Sequence, residues 1–168
     1  MQVKANDRAG MIPGIIVGAS VAAIALSSRW LPAQVAWFFG FSGEPNGFVG
    51  QGVYLSALLV LTVGTPLLVR LSLVALVRGK PGAMPIPNRD YWLAPERRDE
   101  ALAFLVRQTA WFASAFAVFV FLVHLSGIRA NGASPPHQRP EELLTLLAGI
   151  LGVCVFWAGC IAWRFGKP

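Results

Sequence analysis

Two ionisable side chains, Arg70 and His124, lie in stretches of the sequence that are otherwise apolar. A charged or titratable residue at membrane depth often binds an ion or relays protons, and histidine also binds metals and haem. Arg70 follows Pro66 by one helical turn, so a kinked helix would place both on one side. Arg70 could therefore meet an anionic group, or it could extend to lipid phosphates near the membrane edge.

His124 has no second histidine, Asp or Glu near it in an apolar stretch. A proton-coupled transporter normally needs such a carboxylate, and a metal site needs several ligands. The pattern therefore favours a hydrogen-bonded structural histidine over a proton relay or a metal ligand.

Other catalytic patterns are missing from the sequence. It contains no glycine-rich nucleotide loop, no HExxH and no GxSxG motif. Cys154 and Cys160 would stand about 9 Å apart along a helix, too far for a disulfide. Glu141 and Glu142 are adjacent, so a helix would point them in different directions. We expect no catalytic residues, no metal site and no cofactor, and hence no enzymatic activity.

Apolar residues make up 55% of the 168 residues and charged residues only 13%, with a mean hydropathy of +0.59. Soluble domains carry about a quarter charged residues, so this composition excludes an ordinary soluble enzyme and a disordered tail. Four stretches are long enough to cross the roughly 30 Å core of a bilayer. The sequence predicts an all-α membrane protein, a single domain over residues 1–168 that forms a four-transmembrane-helix bundle. The predicted spans are residues 11–28, 53–77, 108–128 and 143–163.

The first stretch also has features of a secretory signal peptide. Lys4 and Arg8 precede it, and Ala23-Ile24-Ala25 resembles a cleavage site. Asp7 dilutes the basic region, however, and the apolar run is long. We therefore expect residues 1–25 to be retained, with residues 11–28 as the first span.

The net charge of +6 is unevenly distributed over the predicted loops. Ten basic residues fall on the side that carries both termini and the connection between the second and third spans, and three fall on the other side. Basic loops remain in the cytoplasm, so both termini are predicted to be cytoplasmic, and the charge needs no nucleic-acid partner. The ten are Lys4, Arg8, Arg78, Lys80, Arg89, Arg97, Arg98, Arg107, Arg164 and Lys167, and the three are Arg29, Arg129 and Arg139.

Small residues recur at every fourth position along the first span, at Gly10, Gly14, Gly18 and Ala22. Such a ridge allows another helix to approach closely, which makes Gly14 and Gly18 candidate partner-binding residues. The alternative is packing within the bundle. The third span offers a surface of small residues for this: Ala110, Ala113, Ser114 and Ala117.

The predicted cytoplasmic connection, residues 78–107, has the composition of a structured loop. Prolines alternate in residues 84–87 and favour an extended backbone, and an aromatic pair follows that suits lipid headgroups. The loop could be a docking surface for a partner or a self-contained, ion-paired collar. The candidate partner-binding residues are Tyr91, Trp92, Arg97 and Arg98. The partners would be other membrane protein subunits or a second copy of this chain.

The connection between the first and second spans carries the sequence Gly43-Glu44-Pro45-Asn46-Gly47. Proline presets φ for one corner of a turn, and Asn-Gly tolerates the positive φ of the next. The aromatic residues on both sides would lie against the membrane surface or cover the end of the bundle. The structural interpretation of this loop is an interfacial hairpin.

A span followed by Leu31-Pro32 and then by Gly43–Phe48 resembles a bacterial membrane domain of unknown function. That domain is shared with the N-terminal part of the immunity proteins against the sporulation-delaying toxin (SdpI-like proteins). The resemblance covers about residues 11–70, and a stretch similar to Asn88–Arg98 recurs in small membrane proteins with this domain. Phe38 stands where many relatives have histidine, so any ligand bound through that histidine would be lost here.

The residues and the resemblance together predict a non-enzymatic protein of the bacterial inner membrane that acts through protein–protein contacts. It would be an accessory subunit of a membrane complex or an SdpI-like sensor or immunity factor. The alternative is a small transporter or lipid-handling protein that uses the Pro66-kinked second span and Arg70.

Overall fold

A computed structural model describes residues 3–167, with side chains for residues 11–80 and 82–167. The chain is mostly helical, with one short antiparallel hairpin near its start. The elements are α1 (Val3–Ser27), β1 (Gln34–Phe39), β2 (Pro45–Gly50), α2 (Gln51–Gly79), α3 (Arg89–Trp92), α4 (Arg98–Gly132) and α5 (Pro140–Phe165).

Four helices, α1, α2, α4 and α5, are long and apolar enough to cross a membrane, which confirms the predicted helical membrane protein. The helices extend beyond the apolar stretches. The largest extension is in α4, which begins at Arg98 rather than at Gln108. Its first turn carries Asp99 and Glu100, whose negative charge is favourable at a helix N-terminus. Apolar length alone therefore underestimated this helix.

Helix α4 is the centre of the fold and packs against α1, α2 and α5. Helix α5 contacts mainly α4 and barely touches α2, and Phe165 is its buried residue. Along the α4–α5 contact, the Trp157 indole N–H donates to the Gln108 carbonyl over 3.2 Å, and the Phe112 and Trp157 rings lie 5.0 Å apart.

The two ends of the helices are built differently. At one end, here called the aromatic end, α3 and residues 80–97 pack against the start of α4 and the end of α5. At the other end, here called the hairpin end, β1 and β2 and residues 133–139 cover the end of α4. The aromatic end contains the larger apolar cluster. Its buried residues are Leu73, Val77, Met84, Ile86, Trp92, Leu93, Ala101, Leu102, Leu105 and Phe165.

The hairpin pairs Gln34 with Gly50 and Ala36 with Phe48, and its register becomes irregular beyond Ala36. The turn differs from the predicted one. It spans Gly40 to Glu44, and β2 begins at Pro45, so Asn46 and Gly47 are strand residues. The Gly40 N–H donates to the Glu44 carbonyl over 2.8 Å.

The prediction of a positive φ at Asn46-Gly47 is wrong, because Gly43 has that conformation, with φ +83°. The reason is a contact that is distant in sequence. The Gln138 N–H donates to the Gly43 carbonyl over 2.9 Å, and a Cβ on Gly43 would lie 2.2 Å from the Gln138 carbonyl oxygen. Only glycine fits both the backbone conformation and the space.

Candidate functional site

His124 joins three helices at a buried point near the hairpin end. Its Nε2 lies 3.0 Å from Ser27 Oγ on α1, and its Nδ1 lies 3.4 Å from Tyr54 Oη on α2. The Ser27 hydroxyl donates to the Ala23 carbonyl over 2.5 Å. A neutral imidazole therefore donates from Nε2 to Ser27 and accepts at Nδ1 from Tyr54, so both ring nitrogens have partners within the chain.

With both ring nitrogens hydrogen-bonded to side chains of neighbouring helices, His124 has the geometry of a structural histidine. Among the described residues, no group of three or more His, Cys, Asp or Glu could hold a metal ion. The junction is also tightly packed, because a Cβ on Gly127 would lie 2.8 Å from Tyr54 Oη. Gly127 lies one turn beyond His124 on α4, where a glycine makes room for the tyrosine.

Arg70 lies on the surface of α2 beside a cavity of about 280 Å³ between α1, α2 and α4. Pro66 lines the same cavity, as expected for a residue one turn away. Within the side chains described, no carboxylate pairs with the Arg70 guanidinium. The cavity is lined by Pro13, Gly14, Pro66, Arg70, Thr109 and Ala110, among others.

Gly14 and Gly18 lie on an exposed face of α1, and a Cβ on either would meet nothing within 4 Å. Helix α1 uses a different face toward α4. The Ser114 hydroxyl donates to the Pro13 carbonyl over 3.2 Å, and Ser27 contacts His124. The alternative that the ridge packs within the chain is therefore wrong at Gly14 and Gly18. Gly10 lies outside the residues whose side chains are described.

The four candidate residues of the connection between α2 and α4 have different surroundings. Tyr91 is exposed, and the Arg97 guanidinium carbon lies 4.0 Å from the centre of its ring. Arg98 is half-buried, and its Nε donates to the Leu93 carbonyl over 3.3 Å. Trp92 is only 8% exposed. Tyr91 is thus accessible beside a half-buried Arg97, whereas Trp92 belongs to the interior.

Trp92 is buried because the end of α5 covers it. The Phe165 ring meets it edge-on at 5.5 Å, and the Arg164 guanidinium carbon lies 4.1 Å from its ring centre. Asn88 fixes the preceding backbone with φ +48°, and its Nδ2 donates to the Phe165 carbonyl over 3.0 Å. The connection is therefore a packed structure, and aromatic contacts hold it more than the ion pairs of a collar, which was one of the two alternatives.

Asn131, at the end of α4, holds the hairpin in place and was not singled out from the sequence. Its Oδ1 accepts the Ala36 N–H over 2.7 Å, and its Nδ2 donates to the Ala36 carbonyl over 3.0 Å. The same Nδ2 also donates to the Gly127 carbonyl over 2.9 Å. The side chain thus takes the place of a neighbouring strand for one residue of β1. In the sequence, the one sign of this role is an amide side chain at the end of an apolar stretch.

A cavity of about 480 Å³, here called the hairpin cavity, lies beneath β1 and between α2, α4 and α5. This cavity could not be predicted from the sequence, because its walls come from four separate elements. Most lining groups are apolar, such as Leu58, Leu61 and Leu146, whereas Tyr54, Ser126 and Gln138 contribute polar atoms. Mostly apolar walls with a few polar groups are typical of small-molecule sites.

Comparisons with protein-family models, curated proteins and solved structures give no match for this chain. The resemblance to the SdpI-like proteins therefore stays a prediction.

Proposed function

We propose that this is a non-enzymatic, multi-pass protein of the bacterial inner membrane that works through contacts with other membrane proteins. It would act as an accessory subunit of a membrane complex or as an SdpI-like sensor or immunity factor. The observation that carries the proposal is the face of α1 at Gly14 and Gly18, where a Cβ would meet no atom of the described residues within 4 Å, although Gly14 also borders the cavity beside Arg70. Close approach strengthens the packing that drives helix association in lipid.

Exposed Tyr91 and half-buried Arg97 provide a second surface, at the aromatic end. The guanidinium of Arg97 stacks on the Tyr91 ring, so both side chains are already ordered before a partner binds. Preordered side chains lose less entropy on binding, and tyrosine and arginine are enriched at interface hot spots. This pair therefore suits a partner that approaches from the aromatic end.

The distribution of charge supports an orientation with the aromatic end in the cytoplasm. That end includes Arg78, Arg97, Arg98, Arg164 and Lys167. The basic residues of the hairpin end are Arg29, Arg129 and Arg139. The positive-inside rule then gives cytoplasmic termini.

A partner should be recovered with the protein after purification from native membranes in mild detergent. We expect a stoichiometric, salt-resistant partner, identified by mass spectrometry, whose recovery falls about tenfold or more in a Gly14→Leu/Gly18→Leu variant, because two leucines hold the helices apart. The matched control is Gly152→Leu/Gly159→Leu on α5, where both glycines also face open space. A lone monomer, or equal recovery from both double variants, would contradict the proposal.

A second candidate function, handling of anionic lipids, is favoured by the cavity beside Arg70. A guanidinium that has no carboxylate partner among the side chains described, next to an opening between helices, suits the phosphate of a lipid headgroup. Native mass spectrometry of the protein with phosphatidylglycerol tests this function. Arg70→Gln should lose the bound lipid but keep the protein partner, whereas Arg78→Gln, two turns further along α2, should retain both. Equal lipid binding by the two variants would exclude Arg70 as the headgroup site.

A further inference from the structure

The hairpin cavity has a polar end and an apolar end. Tyr54 lies in the first turn of α2, and Ser126 and Gln138 lie close to it at the hairpin end. Leu61 lines the cavity two turns further along α2, about 10 Å deeper. A molecule that matches this cavity therefore has a polar headgroup near the membrane surface and an apolar chain directed toward the bilayer centre.

The polar end offers hydrogen-bond acceptors rather than charges. The Gln138 Nε2 donates to Ser126 Oγ over 2.8 Å, and the Ser126 hydroxyl donates to Glu142 Oε2 over 3.0 Å. The second hydrogen of Gln138 Nε2 points to the Arg139 carbonyl at 3.5 Å, so the donors of this hydrogen-bonded series are already used. Gln138 Oε1 accepts no hydrogen bond from the side chains described. Tyr54 donates its proton to His124 and keeps its own oxygen lone pairs.

Among the side chains described, the polar end offers no free donor to an anionic headgroup, and the Glu142 carboxylate nearby adds no attraction for one. This carboxylate lies directly behind Ser126, and its contact with Arg129 is long, at 3.8 Å. A neutral hydroxyl or amide headgroup supplies the donors that the acceptors need and brings no charge repulsion. A carboxylate or phosphate supplies neither advantage.

The cavity can be entered from the side, because α2 and α5 barely contact each other. Exposed apolar residues border the cavity, namely Phe38 on β1, Leu61 on α2 and Leu143 on α5. Phe38 is 65% exposed beside the bilayer that the four spans imply. A chain in the membrane therefore reaches the cavity without passing through water. The volume also falls within the range of about 300–1,000 Å³ that is usual for small-molecule sites.

We propose that the hairpin cavity binds a neutral, single-chain amphiphile with a hydroxyl headgroup, of the long-chain alcohol or monoglyceride class. The hydroxyl donates to Gln138 Oε1 or to Tyr54 Oη, and the chain extends past Leu58 toward Leu61. This site is separate from the α1 face and from Arg70, so its failure would leave both proposed functions untouched.

Photolabelling tests the site with the full chain in nanodiscs of zwitterionic lipid. The probe is a monoacylglycerol that carries a diazirine on its chain, and labelled peptides are identified by mass spectrometry. We expect labelling of β1, α2 and the start of α5, removed by excess unlabelled monoglyceride. Labelling should fall about tenfold or more in Ala57→Phe, which fills the cavity, because a closed cavity cannot accommodate the chain.

Ala25→Phe is the matched control, since Ala25 is exposed on α1 at the hairpin end and does not line the cavity. If Ala57→Phe does not purify as a folded protein, Leu61→Trp blocks the cavity from its apolar end. Equal labelling of the blocked and control variants, or labelling that excess monoglyceride does not remove, would overturn the proposal.

The headgroup is tested by competition. Gln138→Leu should weaken competition by the monoglyceride about three- to tenfold, the value of one hydrogen bond, and leave competition by an alkane of the same length unchanged. A fatty acid should compete less well than the monoglyceride at pH 8, where it is ionised. A fatty acid that competes equally well or better would refute the neutral headgroup.

Discussion

The two ends of this helical protein are held together by different forces. At the hairpin end, buried polar side chains make directional hydrogen bonds, as Asn131 does with Ala36 and His124 with Ser27. At the aromatic end, rings pack edge to face around Phe165. Trp92 Nε1 even has no hydrogen-bond partner among the described residues, although it is buried.

The difference follows from the backbone that each end must accommodate. Strand β1 is not helical, so its N–H and C=O groups need partners wherever water is scarce, and Asn131 supplies them for Ala36. In the part of the chain that the structure describes, the aromatic end contains no strand, and its backbone bonds include local ones such as that from the Lys80 N–H to the Leu76 carbonyl, so apolar area can decide the packing there. Removing a hydrogen bond should therefore disturb the local structure of the hairpin end. Creating a cavity should lower the free energy of unfolding at the aromatic end.

The largest effect is expected from Phe165→Ala at the aromatic end. Phe165 is fully buried and contacts the Trp92 and Phe104 rings, so truncation leaves a cavity and should lower the free energy of unfolding by about 3–5 kcal/mol. Denaturant unfolding in detergent micelles, followed by tryptophan fluorescence, measures the loss. Phe156→Ala, on the same helix and 73% exposed, is the control. Equal losses from the two variants would show that this end is not held by packing.

A smaller effect, but a more local one, is expected from Asn131→Ala at the hairpin end. Two backbone groups of Ala36 lose their partner, which should cost about 2–4 kcal/mol. Hydrogen exchange should become much faster in residues 34–39 and remain unchanged in α2. Asn46→Ala removes an exposed amide from β2 and serves as the control. Unchanged exchange in β1 would mean that strand pairing alone holds the hairpin.

The sequence predicted what depends on composition along the chain. Four apolar stretches gave four helices, and a Pro-Gly-rich loop gave a hairpin. Prediction from the sequence failed where a contact between two distant segments decides the structure. The positive φ falls on Gly43 because Gln138 packs against it, and Asn131 binds Ala36 across 95 residues of sequence. No local pattern contains either partner.

The candidate residues also divide into those whose placement follows from local sequence and those whose placement depends on distant contacts. The shared side of Pro66 and Arg70 follows from helical periodicity, and both line one cavity. The direction that the Gly14–Gly18 ridge faces depends on which side of α1 meets α4, and periodicity cannot specify that. The burial of Trp92 depends on the end of α5, which lies about seventy residues away. The hairpin cavity needs four elements at once, so the sequence could not indicate it.

The smallest predicted effects on stability distinguish the two interactions of Arg164, its stacking on a ring and its ion pair. Its guanidinium carbon lies 4.1 Å from the centre of the Trp92 ring, and its Nη2 lies 2.5 Å from Glu100 Oε1. The Glu100 side chain is 63% exposed, so the ion pair should contribute less than about 0.5 kcal/mol. The stacked contact is more buried and should contribute about 0.5–1 kcal/mol.

Arg164→Met should therefore cost more stability than Glu100→Gln when both are measured by denaturant unfolding. Raising the salt concentration should reduce the small cost of Glu100→Gln and leave most of the cost of Arg164→Met, because salt screens exposed charges more than a buried stack. Equal, salt-sensitive losses would mean that charge pairing stabilises the aromatic end. The contrast with the polar hairpin end would then be one of degree, since both ends would depend on electrostatic contacts.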